Sequence, residues 1–269
     1  MSDTVAAALP AFAEFRAPPS WRAIDFLSDL HLSGATPRTF EALATHLGRT
    51  AADAVFILGD LFEVWVGDDA RHEGFEAECA AMLADASSRR FIAFMAGNRD
   101  FLVGAELLEH CGVHHLADPT VLLAFDQRLL LTHGDALCLT DVAYQRFRAE
   151  VRGAAWQRAF LAQSLAERRE AARRIRAESH HLKTMQQPGE WFDVDAAETA
   201  RWMRAAAAPT MVHGHTHAPA THDVAPGLVR HVLSDWDFDH PGASARGDVL
   251  RWQRDGLTRI PPAPAHSPC

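Results

Sequence analysis

The chain has 269 residues, a net charge of −9 and a 48% share of hydrophobic residues. That length permits one large domain, or one domain with an insert, and the negative charge excludes bulk attraction to nucleic acid. No apolar run approaches the ~20 residues of a membrane span, and Cys79, Cys111, Cys138 and Cys269 lack C-x-x-C spacing, so they read as reduced thiols of a cytosolic protein rather than a disulfide framework.

Residues 1–20 have no Lys or Arg before their apolar part and carry Asp3; they read as a disordered extension and not as a secretory signal. Next come short apolar runs, each ending in a polar cluster. AIDFL (23–27) leads into SDLH, AVFIL (54–58) into GDLF, and FIAFM (91–95) into AGNRD. RLLLT (128–132) leads into HGD, and TMV (210–212) into HGHTH. Runs this short and this apolar suit buried strands. Helical stretches at about 38–51 and 73–89 separate the first three, which implies βαβ units. TVLLAF and RLLLT flank Asp126-Gln127 and read as a hairpin. LVRHVLS, GDVLRW and LTRIP read as antiparallel strands. The fold class is therefore α/β, with mixed sheets and helices outside them.

Residues 141–208 read differently. VAYQRFRAEV, then WQRAFLAQSLAERREAARRIRAES, then a segment opening at Asp195 and Glu198 in a capping-box-like pattern all predict helices. They interrupt two strand-forming regions. The expected organisation is a core of 21–140 and 209–261, an inserted helical cap at 141–208, and a disordered tail at 262–269. Between Tyr144 and Lys183 there are ten basic residues against four acids, Glu150, Glu167, Glu170 and Glu178. Either this is a solvated helix face, or it attracts an anionic substrate or membrane surface.

Five strand ends carry residues of metal-ligand type: Asp29 and His31; Asp60; Asn98; His133; His215 and His217. In open α/β sheets, ligands bind beyond the carboxyl ends of strands. The i, i+2 spacing of Asp29 with His31, and of His215 with His217, puts each pair on one face of an extended segment. Carboxylate, amide and imidazole without thiolate suit Mn²⁺, Fe²⁺, Zn²⁺ or Co²⁺. Seven ligands exceed one open site and suffice for two ions sharing a carboxylate. Two divalent ions, two aspartates and a hydroxide leave +1, and the neutral Asn98 preserves it, as phosphoryl chemistry requires.

The ordered pattern D-x-H, GD, GN, H, GHTH resembles the calcineurin-like metallophosphoesterases across about residues 22–235. SDLHL, ILGDLFEVWVGDD, GNRDFL, HGDALCLTD and HGHTH are similar to the UDP-2,3-diacylglucosamine pyrophosphatase branch of that family. The resemblance implies a four-layer metallophosphoesterase β-sandwich of mixed sheets flanked by helices. It also implies two divalent metal ions, manganese being the usual pair. One ion would take Asp29, His31, Asp60 and His217, and the other Asp60, Asn98, His133 and His215. The catalytic residues would be Asp60, Asn98, Arg99 and His215. Substrate contacts would come from Asn98, Arg99, Asp141, Ser179, Lys183, Gln186 and His215. In the cap the family's SKEAN is replaced by SHHLKTMQQ, so Lys183 stands where an amide is usual and Gln186 where a lysine is usual.

The implied substrate is a UDP-linked diacylated glucosamine lipid, handled on the cytoplasmic face of the inner membrane by a peripheral enzyme with no obligate protein partner. Many relatives have His where this chain has Arg99. Arginine cannot give up its proton at neutral pH but can bind phosphate oxygens in bidentate fashion. Two other readings are a soluble phosphodiesterase or nucleotide pyrophosphatase of the same family, and a metal-binding scaffold that recruits a protein. Asp100 reads as the cap of helix FLVGAELLEH and Asp135 as holding a ligand loop. Tyr144 reads as cap packing, His213 as either a support of the metal ligands or a plain strand-end histidine, and His114, His115, His180, His181 and His240 as surface residues.

Overall fold

A computed structural model describes residues 8–185, 192–240 and 245–264. Two six-stranded sheets stack face to face. The first has the order β12-β11-β2-β3-β4-β5. Its strands are β2 (Ala23–Leu27), β3 (Ala54–Leu58), β4 (Phe91–Met95), β5 (His114–Leu116), β11 (Val249–Gln253) and β12 (Gly256–Ile260). Strands β2 to β5 run parallel, while β11 is antiparallel to both β2 and β12. The second sheet has the order β1-β6-β7-β8-β10-β9. It holds β1 (Ala13–Arg16), β6 (Thr120–Ala124), β7 (Gln127–Leu131), β8 (Thr210–His213), β9 (Ala220–Ala225) and β10 (Leu228–Val232).

Alternation along the strands sorts the core into layers. Ile24, Phe26, Phe56, Leu58, Ala93 and Met95 meet Leu122, Leu129, Leu131 and Val212 between the sheets. On the outer face of the first sheet, Val55, Ile57, Ile92 and Phe94 pack under α1 (Pro37–Arg49), α2 (Gly74–Ser87) and α3 (Ala105–Cys111). On the outer face of the second, Val121, Leu130 and Met211 pack under Trp202 and Met203 of α7 (Ala196–Ala205). This is the four-layer arrangement expected for the family. The hairpin is one residue earlier than expected: Ala124 pairs with Gln127, and Phe125 and Asp126 turn with φ of 53° and 64°, the type I′ geometry.

Two expectations fail at the ends. The N-terminal segment is not a disordered extension throughout: Ala13–Arg16 pairs in parallel with β6, and the ring of Phe15 lies 5.2 Å from Phe91 and 5.8 Å from Phe56. The apolar residues of FAEFR have a core to join, which removes the reason for disorder. The tail is also ordered in part, since the Ala263 amide donates to His46 Nδ1 and the Pro264 carbonyl accepts from Arg49.

Between β7 and β8 lie α4 (Val142–Val151), α5 (Ala154–Leu161), α6 (Leu165–Met185) and α7. The long run expected as one helix breaks at residues 162–164. Ser164 and Glu167 form a reciprocal capping box there, hydroxyl to carboxylate at 2.6 Å and Ser164 amide to the same carboxylate at 2.9 Å. The basic residues of this region are mostly paired with acids. The Arg168 guanidinium is buried, donating to the Val66 carbonyl at 2.6 Å and to Asp69; Arg169 pairs with Glu73 and Glu76, and Arg176 with Glu63. The arginine excess therefore fastens these helices to acids of the core. Among the described residues, Arg146, Arg158 and Arg174 of this stretch form no ion pair.

One buried charge cluster lies away from the strand ends. Asp25, fully buried in β2, accepts from Thr50 Oγ1 at 2.5 Å and from Arg251 Nε at 2.7 Å, with His46 Nε2 at 3.2 Å. Burial alone would raise its pKa. The hydrogen bonds from Arg251, His46 and Thr50 outweigh that and hold the carboxyl at about 2, against an ordinary 3.8. A lowered carboxylate pKa stabilises the fold above the unfolded value and loses that contribution as pH falls through the folded one. We expect about 2 kcal/mol of unfolding free energy to vanish between about pH 4 and pH 2. Urea titrations across that window should show a flatter acid arm in Asp25→Asn than in the wild type.

Candidate metal centre

All seven expected ligands sit just past the carboxyl ends of strands. The first sheet supplies Asp29 and His31 after β2, Asp60 after β3 and Asn98 after β4. The second supplies His133 after β7, and His215 and His217 after β8. Because the sheets are stacked, the two rows of strand ends face each other. The loops are also tied together by backbone bonds. Asp29 N–H donates to Gly59 O at 3.1 Å, His31 N–H to Asp60 O at 3.0 Å, and Gly214 N–H to His133 O at 3.0 Å. Close approach demands glycine here: a Cβ on Gly97 would collide with the Asp60 carboxylate and amide.

Among the described residues, eight non-glycine residues have left-handed φ, and five are expected ligands: Asp29 (55°), His31 (48°), Asp60 (53°), His215 (67°) and His217 (53°). This region is costly for side chains other than glycine, asparagine and aspartate, and persists where surrounding structure enforces it.

The ligand atoms form two adjoining groups. In the first, Asp29 Oδ1 lies 3.3 Å from His217 Nε2, and His31 Nε2 lies 3.2 Å from the same nitrogen. In the second, Asn98 Oδ1 is 3.0 Å from His133 Nε2 and 2.9 Å from His215 Nδ1. Asp60 Oδ1 is 3.7 Å from His133 Nε2, and oxygens of Asp29 and Asp60 lie within 4.8 Å of each other and of that imidazole.

The donor set fits divalent cations. Asp29 Oδ1 is buried with no hydrogen-bond partner among the described residues, and two imidazole nitrogens aim at one another across 3.2 Å. Burial opposes charge on His133, yet the carboxylates of Asp60, Asp29 and Asp135 push its pKa up to about 9. Burial and the neighbouring His133 push His215 down to about 4. A cavity that draws a proton onto one imidazole this strongly offers the negative field a cation would neutralise.

Outer partners hold these ligands. Asp29 Oδ2 accepts from the Ser28 hydroxyl at 2.6 Å and the His215 amide at 2.9 Å. Glu63 lies 3.4 Å from His31 Nδ1, and Asp235 lies 3.7 Å from His217 Nδ1. The Leu58 carbonyl is 2.9 Å from His133 Nδ1. Such partners fix ring orientation and raise ligand basicity. Sequence reading missed Glu63 and Asp235, although Asp235 also follows a strand run and could have been found by that rule. His213 is not at the metal cavity: its Nδ1 meets Gly214 O and its Nε2 meets the Arg230 guanidinium at 3.0 Å.

Asp100 does not cap α3, whose N-cap is Gly104. Its buried carboxylate accepts instead from the Gly97 and Leu61 amides at 2.7 Å and from the Asp60 and Phe62 amides at 3.3 Å. It thus ties the Asn98 loop to the Asp60 loop. We expect Asp100→Asn, which turns one accepting oxygen into a donor, to cost about 2–4 kcal/mol of unfolding free energy in the metal-free protein. Chemical denaturation measures this directly.

The Arg99 side chain is 13% exposed. Its Nε lies 3.7 Å from Asp60 Oδ2 and its Nη1 3.8 Å from Glu63 Oε1, and among the described residues neither nitrogen has a hydrogen-bond partner. Two unbonded donors beside the metal cavity suit an anion. Asp141 is the N-cap of α4, accepting from the Tyr144 amide at 3.0 Å. Ser179 and Lys183 lie in α6, but their side chains, like all of Gln186, fall outside the described residues.

A model of the family described as calcineurin-like phosphoesterase matches residues 23–219. Over 243 residues the chain is 43% identical to a Chromobacterium violaceum protein named UDP-2,3-diacylglucosamine hydrolase, covering 89% of this chain and 98% of that one. Proteins of the same name from Xanthomonas campestris pv. campestris and Ralstonia nicotianae are each 42% identical. They cover 86% and 88% of this chain, and 96% and 91% of their own lengths. Likeness of this degree, over nearly nine-tenths of this chain and more than nine-tenths of each relative, places the chain in the calcineurin-like phosphoesterase family, among its UDP-2,3-diacylglucosamine hydrolases.

Proposed function

We propose that this chain hydrolyses the diphosphate bond of UDP-2,3-diacylglucosamine, giving 2,3-diacylglucosamine 1-phosphate (lipid X) and UMP in lipid A biosynthesis. The observation that carries the reading is the 43% identity over 98% of a relative bearing that activity in its name. The side chains add independent support. Asp29, His31, Asp60 and His217 would hold one divalent ion, and Asp60, Asn98, His133 and His215 the other, with Mn²⁺ our choice of metal. Two such ions supply Lewis-acid polarisation of a phosphoryl oxygen and a deprotonated water at neutral pH.

The protein's own groups do the rest. The unbonded Nε and Nη1 of Arg99 grip phosphoryl oxygens and offset the charge that develops there. Asn98 contributes an oxygen without a charge, so the cavity stays attractive to a diphosphate. Asp60 sits between the two ligand groups and orders both. His215 faces the same point as Asn98 and adds to the field around the reacting phosphorus.

A lipid substrate also needs apolar surface. Of the five large apolar side chains exposed among the described residues, Val64, Leu139, Val142 and Leu161 lie on the segment after β3 or on and beside α4 and α5. Asp141, at the start of α4, is our choice for one substrate contact, and Ser179, Lys183 and Gln186, whose side chains fall outside the described residues, are carried as further contacts on the family resemblance alone. No described helix is long and apolar enough to cross a membrane, and we propose peripheral docking on the cytoplasmic face of the inner membrane. The test is Mn²⁺-dependent release of UMP from UDP-2,3-diacylglucosamine, with bis(p-nitrophenyl) phosphate as comparator. Preference for the comparator would overturn the lipid reading in favour of a soluble phosphodiesterase.

A further inference from the structure

Tyr144, expected only to pack within the helices, touches the metal cavity. Its hydroxyl donates to Asp135 Oδ2 at 2.6 Å, and its ring stacks on the His215 imidazole, with centroids 5.9 Å apart and planes 30° apart. The same face of α4 carries Arg148, and Arg152 follows at its C-cap. Arg148 Nε lies 2.8 Å from that Asp135 oxygen, and Arg152 Nη2 donates to the Gly97 carbonyl at 2.9 Å while lying 3.4 Å from Asp135. One turn earlier, Gln145 Nε2 donates to the Asp135 carbonyl at 2.7 Å.

These contacts share one target. Asp135 is two residues beyond His133, Gly97 immediately precedes Asn98, and the Tyr144 ring lies on His215 itself. Those are the three ligands unique to the second group. The side chains of the first group are held by residues outside α4: Glu63 by His31, Asp235 by His217, and Ser28 together with the His215 backbone amide on Asp29. We infer that α4 is the outer support of the Asn98–His133–His215 centre alone, with Tyr144 the positioning residue that keeps the His215 ring aimed at the point it shares with Asn98 and His133. The two centres therefore have separate supports and can be weakened separately.

This rests on the two-cation reading of the cavity, and the experiment separates the two. Metal-free full-length protein is dialysed against free Mn²⁺ at the lowest concentration that saturates the wild type, and bound metal is then counted per chain. A wild type holding two ions establishes the premise; one holding fewer overturns the two-cation reading instead. Outer-support changes typically weaken binding roughly 10–100-fold. Tyr144→Leu, which removes the flat ring, should therefore retain one ion. Asp235→Asn should also retain one, and the double variant none. Tyr144→Phe keeps the ring on His215 and should retain two; it also covers the case in which the leucine variant fails to fold. Two ions on Tyr144→Leu, none on it, or one on the double variant would each overturn the inference.

Discussion

Asp60→Ala should lose bound Mn²⁺ and lower turnover by on the order of 10³-fold or more. The carboxylate adjoins both ligand groups: oxygens of Asp29 and Asp60 and the His133 nitrogen all lie within 4.8 Å of one another. Its removal takes a ligand from each centre at once. The variant should still fold, because the Asp60 backbone is held independently. Its carbonyl accepts from the Leu30 and His31 amides, and its amide is bound by Asp100. Among the described residues, its side chain accepts one hydrogen bond, from the Arg99 amide at 2.9 Å. Metal content and kcat are the two measurements. Full activity in a chain holding no metal would sink the two-ion account.

Arg99→Ala should do the opposite to the metal and nearly the same to the rate. It binds both ions and loses about 10²–10³-fold in kcat. The distinction follows from the distances. The guanidinium reaches Asp60 and Glu63 only through long ion pairs of 3.7 and 3.8 Å and, among the described residues, leaves Nε and Nη1 without a hydrogen bond, so both nitrogens can turn to an anion at small cost to the cavity. Arg99→Lys should recover only part of the rate, because one ammonium cannot match a forked donor on a phosphoryl group. Loss of metal in Arg99→Ala would show that the residue supports the centre rather than the phosphate.

The candidate ligands were legible as strand-end residues because of where they stand in the sequence. A strand buried on both faces reads as an unbroken apolar run, so the first polar residue after AVFIL or TMV marks a strand end without any knowledge of partners. Contacts that join distant segments left no such trace. Asp100 looked like a local helix cap because its four amide partners include three that lie some forty residues upstream. The N-terminal strand was invisible since its partner β6 begins more than a hundred residues later. The break before α6 could have been read, as Ser164 and Glu167 are a capping box, but helical periodicity on both sides hid it. Tyr144 gave no signal, because the stacking on His215 exists only once α4 lies across the second sheet's strand ends.

The five ligands in left-handed backbone carry a further consequence. Glycine is the residue that best tolerates that conformation, and glycine cannot hold a cation. The end of the sheets that carries the candidate site therefore holds backbone strain that a glycine there would relieve. Cations that bind only the folded form add RT ln(1 + [L]/Kd), about 2.7 kcal/mol at a hundredfold excess over Kd. On the two-cation reading, divalent-cation supply would therefore bear on how long the molecule persists as well as on how fast it works. We expect metal-free chain to open first at this end, so limited proteolysis without Mn²⁺ should cut these loops earlier than with it.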